Sequence, residues 1–296
     1  MTRPLNGYLL VLVSALLLGT LGVFAKLFYD AGGEPLTLLV LRFAAGGPLL
    51  VLIALARREQ WPPRRRIALG ASLGALQLGG AYALFEGFAR APVGLVVLVF
   101  FCYPLIVAVG AAFLFGEELG PRRAAVLALG TAGVALTVGV PESANATGIV
   151  LGLLAGICVA GLVLSARALT TTGGIAPLVL CGLMFTSPLV VLLPVTATRG
   201  IDLDLGGEAW LWAAGAVVVS VVIPIALFYT GVQIAGAGAS SILGVGEPLA
   251  GVLLAYAVLD ESLTGVQLLG GLLIFAAVVV LSLQAIRTPL PVSDSS

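Results

Sequence analysis

Residues Ala91–Gly120 read APVGLVVLVFFCYPLIVAVGAAFLFGEELG, and residues Ala235–Thr264 read AGAGASSILGVGEPLAGVLLAYAVLDESLT. Set one above the other without a gap, they place Ala91, Gly94, Pro104, Leu105, Glu117 and Leu119 on Ala235, Gly238, Pro248, Leu249, Glu261 and Leu263. The same register runs on to Val134 and Val278. Each copy is an apolar run of helix length with a proline at its centre and an acidic turn at its end. A repeat at about half the chain length implies two copies of one unit. In a chain this apolar it points to a transporter, with a substrate site near the two prolines.

Composition bears on the solvent. Of 296 residues, 60% are hydrophobic and 9% charged, and the mean hydropathy is +1.18. Soluble domains carry about 25% charge, so the expected solvent is a bilayer. The apolar runs are continuous rather than alternating over about ten residues, which favours helices over a barrel. The net charge is zero, with 14 bases and 14 acids, and nothing suggests a nucleic-acid partner. Histidine is absent, which removes the usual proton shuttle and the commonest metal ligand. Cys102, Cys158 and Cys181 lie within apolar runs without metal-like spacing and read as small packing residues.

Runs of about twenty apolar residues give ten expected spans. They cover roughly 6–28, 35–56, 67–89, 92–115, 122–140, 147–168, 175–196, 209–232, 237–258 and 265–286. The first reads as a retained helix rather than a cleaved signal, since its apolar stretch is long and no convincing cleavage site follows. Short connections leave no room for a soluble catalytic or nucleotide-binding domain. With the N-terminus inside, the cytoplasmic face holds Arg3, Arg57, Arg58, Arg64, Arg65, Arg66, Arg122, Arg123, Arg167 and Arg287, against Lys26, Arg90 and Arg199 outside. This bias predicts a plasma (inner) membrane protein with both termini cytoplasmic. An odd number of spans per half means that the second copy inserts inverted. The expected fold is therefore all-α, with ten transmembrane helices as two inverted five-helix repeats around a central cavity. The halves are residues 1–141 and 142–288, with a cytoplasmic tail at 289–296.

Polar residues inside the spans are the candidates for function. Glu247 falls near the middle of the ninth span, where a charge costs at least about 2.5–3.5 kcal/mol. It reads as a cation or proton site, or else as a protonated structural carboxyl. Tyr103 is its repeat mate, directly before Pro104, and a phenol at that depth needs a partner for its hydroxyl. Arg42, about two turns into the second span, faces the cavity or snorkels. Glu86 can pair with Arg42, or with Arg90 at i,i+4. Tyr82 stands one turn before Glu86 on the same helix face. Gln77, Ser14 and Ser240 are further polar candidates for the cavity wall, as are Thr20 and Ser241. Tyr229 and Tyr256 read as interface anchors. The small-xxx-small pairs Gly70/Gly74 and Gly152/Gly156 read as intramolecular packing. Pro48, Pro104, Pro188, Pro224 and Pro248 lie within apolar runs and invite kinks, which either shape a cavity or only packing. No phosphate-binding glycine loop, Ser/His or Cys/His pair is present, so an enzyme is not expected. The chain calls for no metal and no cofactor.

These features together resemble the drug/metabolite transporter superfamily, specifically its EamA-type ten-helix exporters. The resemblance rests on the two inverted halves, on the duplicated P-L…E-x-L pattern of Pro104–Leu119 and Pro248–Leu263, and on ALFEGFARAPVG beside ALFYTGVQIAGAG. It is similar in particular to the YddG-type amino-acid exporters. The resemblance implies a ten-helix basket whose central site is formed by the non-terminal helices of each half. Carried over, the motif residues are Pro104, Glu117, Pro248 and Glu261, with the acidic residues structural or gating. Glu247 is not part of that symmetric pattern, since Tyr103 stands at the equivalent place.

The function expected from the sequence is secondary export of small amphiphilic metabolites, amino acids first (aromatic and other neutral ones). The partners are that solute and membrane lipid, and a monomer suffices. A multidrug or nucleotide-linked metabolite exchanger is the alternative within the superfamily. A non-transporting membrane scaffold is the alternative of another class.

Overall fold

The computed structural model describes residues 2–115, 120–138, 146–171, 174–235, 243 and 246–287, and these are helices and connections without a strand. In chain order the helices are α1 (Thr2–Gly19), α2 (Leu21–Asp30), α3 (Pro35–Ala56), α4 (Arg64–Ser72), α5 (Gly74–Arg90), α6 (Val93–Phe100), α7 (Tyr103–Phe115), α8 (Pro121–Val138), α9 (Ala146–Thr171), α10 (Pro177–Thr186), α11 (Leu189–Arg199), α12 (Gly207–Ala214), α13 (Ile223–Ala235), α14 (Gly246–Leu259) and α15 (Gly265–Arg287). A π-helical stretch, Gly215–Val222, joins α12 to α13. Backbone polar groups find no water in hydrocarbon, so an unbroken helix is the low-cost way through it. Among the described residues seven helical stretches are long and apolar enough to cross a membrane: Leu5–Asp30, Pro35–Ala56, Arg64–Arg90, Val93–Leu114, Ala146–Thr170, Pro177–Arg199 and Gly207–Val232. Three shorter apolar helices, Ala124–Gly133, Gly246–Leu259 and Gly265–Val280, fall within the remaining stretches of the sequence expected to span.

Several of these stretches are interrupted at mid-depth, and proline accounts for some of the interruptions. α6 ends at Phe100 and α7 restarts at Tyr103, so Pro104 sits in a first turn, where its missing N–H costs nothing. α10 ends at Thr186 and α11 restarts just after Pro188. The π-helical stretch ends two residues before Pro224. Pro48 behaves otherwise and lies inside the continuous α3. The breaks at Thr20 and Leu73 have no proline at all. At the first, the Thr20 hydroxyl donates to the Leu17 carbonyl and lies 2.6 Å from the Ser220 hydroxyl of the π-helical stretch.

Close helix contact rests on small residues, as expected where lipid supplies no hydrophobic drive. α1 packs on α13 and α14, α3 on α10, α5 on α9, and α8 on α15. A Cβ on Gly19 would fall 2.7 Å from the Glu247 carbonyl oxygen, so only glycine admits α14 to α1 there. Gly70 meets Leu180 and Leu183, Gly74 meets Ser187 and Pro188, and Gly152 and Gly156 meet the Val96 and Phe100 carbonyls. Both small-xxx-small pairs therefore face neighbouring helices of the same chain. Phe28, Phe43 and Phe85 are fully buried at the centre of the packing. Cys102 and Cys181 are buried and Cys158 partly so, in keeping with packing roles.

Candidate substrate site

The site begins with Arg42. Its position on α3 leaves it about 10 Å, at 1.5 Å per residue, from the start of that helix. Its guanidinium lies over two phenylalanine rings, Phe85 of α5 and Phe185 of α10, each 5.4 Å from ring centroid to Cζ. Phe185 is held in turn by Phe43, centroid to centroid 5.7 Å. Stacking on aromatic faces suits a weakly hydrated planar cation. It leaves the edge of the guanidinium unsatisfied: Nε and Nη1 are buried and have no hydrogen-bond partner.

Glu247 supplies the opposite charge. It stands in the first turn of α14, where a carboxylate also meets the favourable end of the helix dipole. Arg42 and Glu247 lie within electrostatic reach of one another, yet no ion pair within 4.0 Å joins them. Tyr103 is also within reach of Glu247. Its ring packs against Phe100 and Phe101, at 5.4 and 5.6 Å between centroids. Of the residues singled out in the sequence, Arg42 and Tyr103 thus each lie within electrostatic reach of Glu247, and neither lines its cavity. The three come from α3, α7 and α14.

Beside Glu247 is a small cavity of about 30 Å³. Its walls are the α1–α2 break (Leu18, Gly19, Leu21, Gly22), Leu84 and Phe88 of α5, and Val97, Phe100 and Phe101 around the end of α6. Among the described residues, Glu247 is the single charged one in its walls. The lining is otherwise apolar and aromatic.

The other candidates are placed differently. Ser14 is fully buried, and its hydroxyl donates to the Pro224 carbonyl at 2.8 Å, tying α1 to α13. Glu86 pairs with Arg90 one turn on, not with Arg42. Tyr82 is 47% exposed on α5 and does not line the cavity at Glu247. Gln77 is half-buried on the same helix. Pro248 is buried next to Glu247. Ser240 and Glu117 lie outside the described residues. Tyr229 is no interface anchor, since its hydroxyl lies 3.1 Å from the buried Cys181 sulfur and its ring packs on the core. Tyr256, by contrast, is exposed. Sequence reasoning passed over Phe85 and Phe185, whose pattern is that of ordinary core residues.

The acidic turn after α14 has a definite task. Asp260 takes the left-handed conformation, φ 53°, which aspartate tolerates better than most residues. It ends α14 and turns the chain. Glu261 then reaches the start of α6 and accepts hydrogen bonds from the N–H groups of Val93 at 2.8 Å and Gly94 at 2.9 Å. Those are two of the donors that a helix start leaves free, so the carboxylate acts as a cap supplied by another element. Charge-assisted bonds of this kind are worth about 1.5–3 kcal/mol each. The end of α14 and the start of α6 are clamped together at this point.

Comparison with known proteins agrees with this architecture. The sequence profile of the EamA-like transporter family matches residues 5–139 and again residues 146–283. A protein of Archaeoglobus fulgidus named only as an uncharacterized transporter is 27% identical over 270 residues, covering 91% of this chain and 94% of its own. Protein PecM of Dickeya dadantii is 28% identical over 265 residues, 83% of this chain and 82% of its own. A solved structure at 21% identity superposes with a TM-score of 0.67 over 94% of this chain and 98% of that one, which bears on the fold alone. With both profile matches falling across these helices, the chain belongs to the EamA-like transporter family and is a multi-pass membrane transporter.

Proposed function

We propose that this protein is a secondary transporter that exports small amphiphilic metabolites, amino acids foremost, across the inner membrane by alternating access. One observation carries the reading: opposite charges, Arg42 and Glu247, sit among apolar helices within electrostatic reach but without an ion pair. Intramembrane charges are costly and persist where they serve a solute or an ion. A free amino acid carries the complementary pair, a carboxylate and an ammonium, on one carbon. The aromatic lining of Phe88, Phe100 and Phe101 favours neutral and aromatic side chains.

The moving parts follow from the duplication. Ten spans in two inverted halves, residues 1–141 and 142–288, would rock about the cavity. The double match of the family profile supports that division. The Glu261 cap on Val93 and Gly94 would serve as a gate at one end of the path, and Glu117 is its counterpart in sequence. The Lys/Arg asymmetry supports cytoplasmic termini. Arg42, Tyr103 and Glu247 all come from one chain, which supports a monomer as sufficient. The test is a counterflow screen in proteoliposomes with labelled amino acids, with and without a proton gradient. Accumulation of neutral amino acids is expected, and an absence of flux for all of them would refute the reading.

A further inference from the structure

The charge arrangement at this site limits which solutes can enter, because its two charged residues differ in what they can do with a proton. Arginine stays protonated in any protein environment, whereas a carboxylate can be neutralised. Arg42 is enclosed by Phe85 and Phe185 and has two buried nitrogens unpartnered. Glu247 opens onto the cavity. The charges that reach Glu247 are few. α1 carries Arg3 and the exposed Tyr8, and α2 carries Lys26, paired with Asp30 at 3.0 Å, and Tyr29, whose hydroxyl donates to the Phe85 carbonyl. α6 carries no titratable side chain, and α14 itself adds only the exposed Tyr256. Among the described residues, those within electrostatic reach of Glu247 are Arg42 from α3 and the Tyr103 phenol from α7.

We infer that Arg42 is the carboxylate subsite of this transporter, and that Glu247 takes up a proton whenever the bound solute brings a carboxylate without an ammonium. The inference rests on the functional reading above and deepens it. A zwitterion places its carboxylate on Arg42 and its ammonium by Glu247, and the charges balance without a proton. A monocarboxylate lacking the amine leaves Glu247 facing a second negative charge in an apolar surround. One proton, drawn from the water on the loading side, restores the balance and leaves with the solute. A monoamine lacking the carboxylate satisfies Glu247 but strands the Arg42 cation, which cannot lose its proton. Uncompensated buried charge is strongly unfavourable, so monoamines are excluded. The site is therefore asymmetric: loss of the ammonium is tolerated and loss of the carboxylate is not.

Equilibrium binding to the purified full chain in detergent tests this with three labelled probes of one skeleton: phenylalanine, 3-phenylpropanoate and phenethylamine. Phenylalanine and 3-phenylpropanoate should bind, and phenethylamine should bind at least about a hundredfold more weakly than either, a factor of ten corresponding to about 1.4 kcal/mol. Between about pH 8 and about pH 6 the probe carboxylate stays ionised. Over that range 3-phenylpropanoate affinity should rise as pH falls, by at most about tenfold per pH unit, the slope of one proton. In Glu247→Gln that pH dependence should vanish while 3-phenylpropanoate still binds, and phenylalanine should weaken. Phenethylamine binding as well as 3-phenylpropanoate, a pH dependence that survives Glu247→Gln, or no binding by any probe would overturn the inference. The first two results would leave amino-acid counterflow, and so the functional reading, standing.

Discussion

Arg42 and Ser14 separate two kinds of buried polar residue. Ser14 is satisfied by the Pro224 carbonyl, and such interhelical bonds in lipid average about 0.6 kcal/mol. Ser14→Ala should therefore lower thermal stability only slightly and leave flux intact, as a melting curve and a transport assay on the same preparation would show. Arg42 is stacked but left without hydrogen bonds at Nε and Nη1, which is poor design for stability alone. Arg42→Leu should keep the melting temperature within a few degrees of wild type, or raise it. Substrate binding should fall by about 2–5 kcal/mol, the usual cost of removing one partner of a buried charge contact. A collapse of folding in Arg42→Leu would instead make the arginine structural. Both charged residues were legible in the sequence, because ionisable groups deep in apolar runs stand out. Phe85 and Phe185 were not legible, since an aromatic that stacks on a cation has the same spacing as one that fills a core.

At the scale of elements, the α14–α6 clamp and the α1–α14 crossing control how the cavity is framed. Glu261→Ala removes both bonds to Val93 and Gly94. If that cap is a gate, its loss should favour the open state by about 2–4 kcal/mol, allowing for compensation by water. A cysteine placed at Val97, in a background without the three native cysteines, should then react faster with a water-soluble thiol reagent. Unchanged labelling would show that Glu261 caps α6 without gating. Gly19→Val puts a branched side chain where the Glu247 carbonyl and Ala250 already sit, at 2.7 and 2.8 Å from the Cβ position. It should destabilise by about 1–3 kcal/mol or more and abolish transport by moving α14, with the loss read as a lowered melting temperature. The duplicated motif made the acidic turn visible in sequence, but not the peptide N–H groups that it binds. Those belong to a helix start whose neighbour is fixed only by tertiary packing. The interruptions near Pro104, Pro188 and Pro224 had a sequence signal, while those at Thr20 and Leu73 had none.

For the whole molecule, apolar runs of membrane length were enough to read the all-helical class and the multi-pass character, because a bilayer permits so few alternatives. The same reading set Tyr229 at an interface by its place near a span end, whereas a cysteine on another helix holds its hydroxyl in the core. Depth along one helix says nothing about what the neighbouring helix presents. The central claim is that a solute is carried through the site at Glu247, with Tyr103 and Arg42 within electrostatic reach. Counterflow of a labelled neutral amino acid into proteoliposomes tests it most directly, with wild type and Glu247→Gln compared at equal folded protein and across pH. Wild type should accumulate the label, and Glu247→Gln should lose at least about 1.4 kcal/mol of transition-state stabilisation, a tenfold drop in rate. Wild-type flux with unchanged pH dependence in Glu247→Gln would contradict the account.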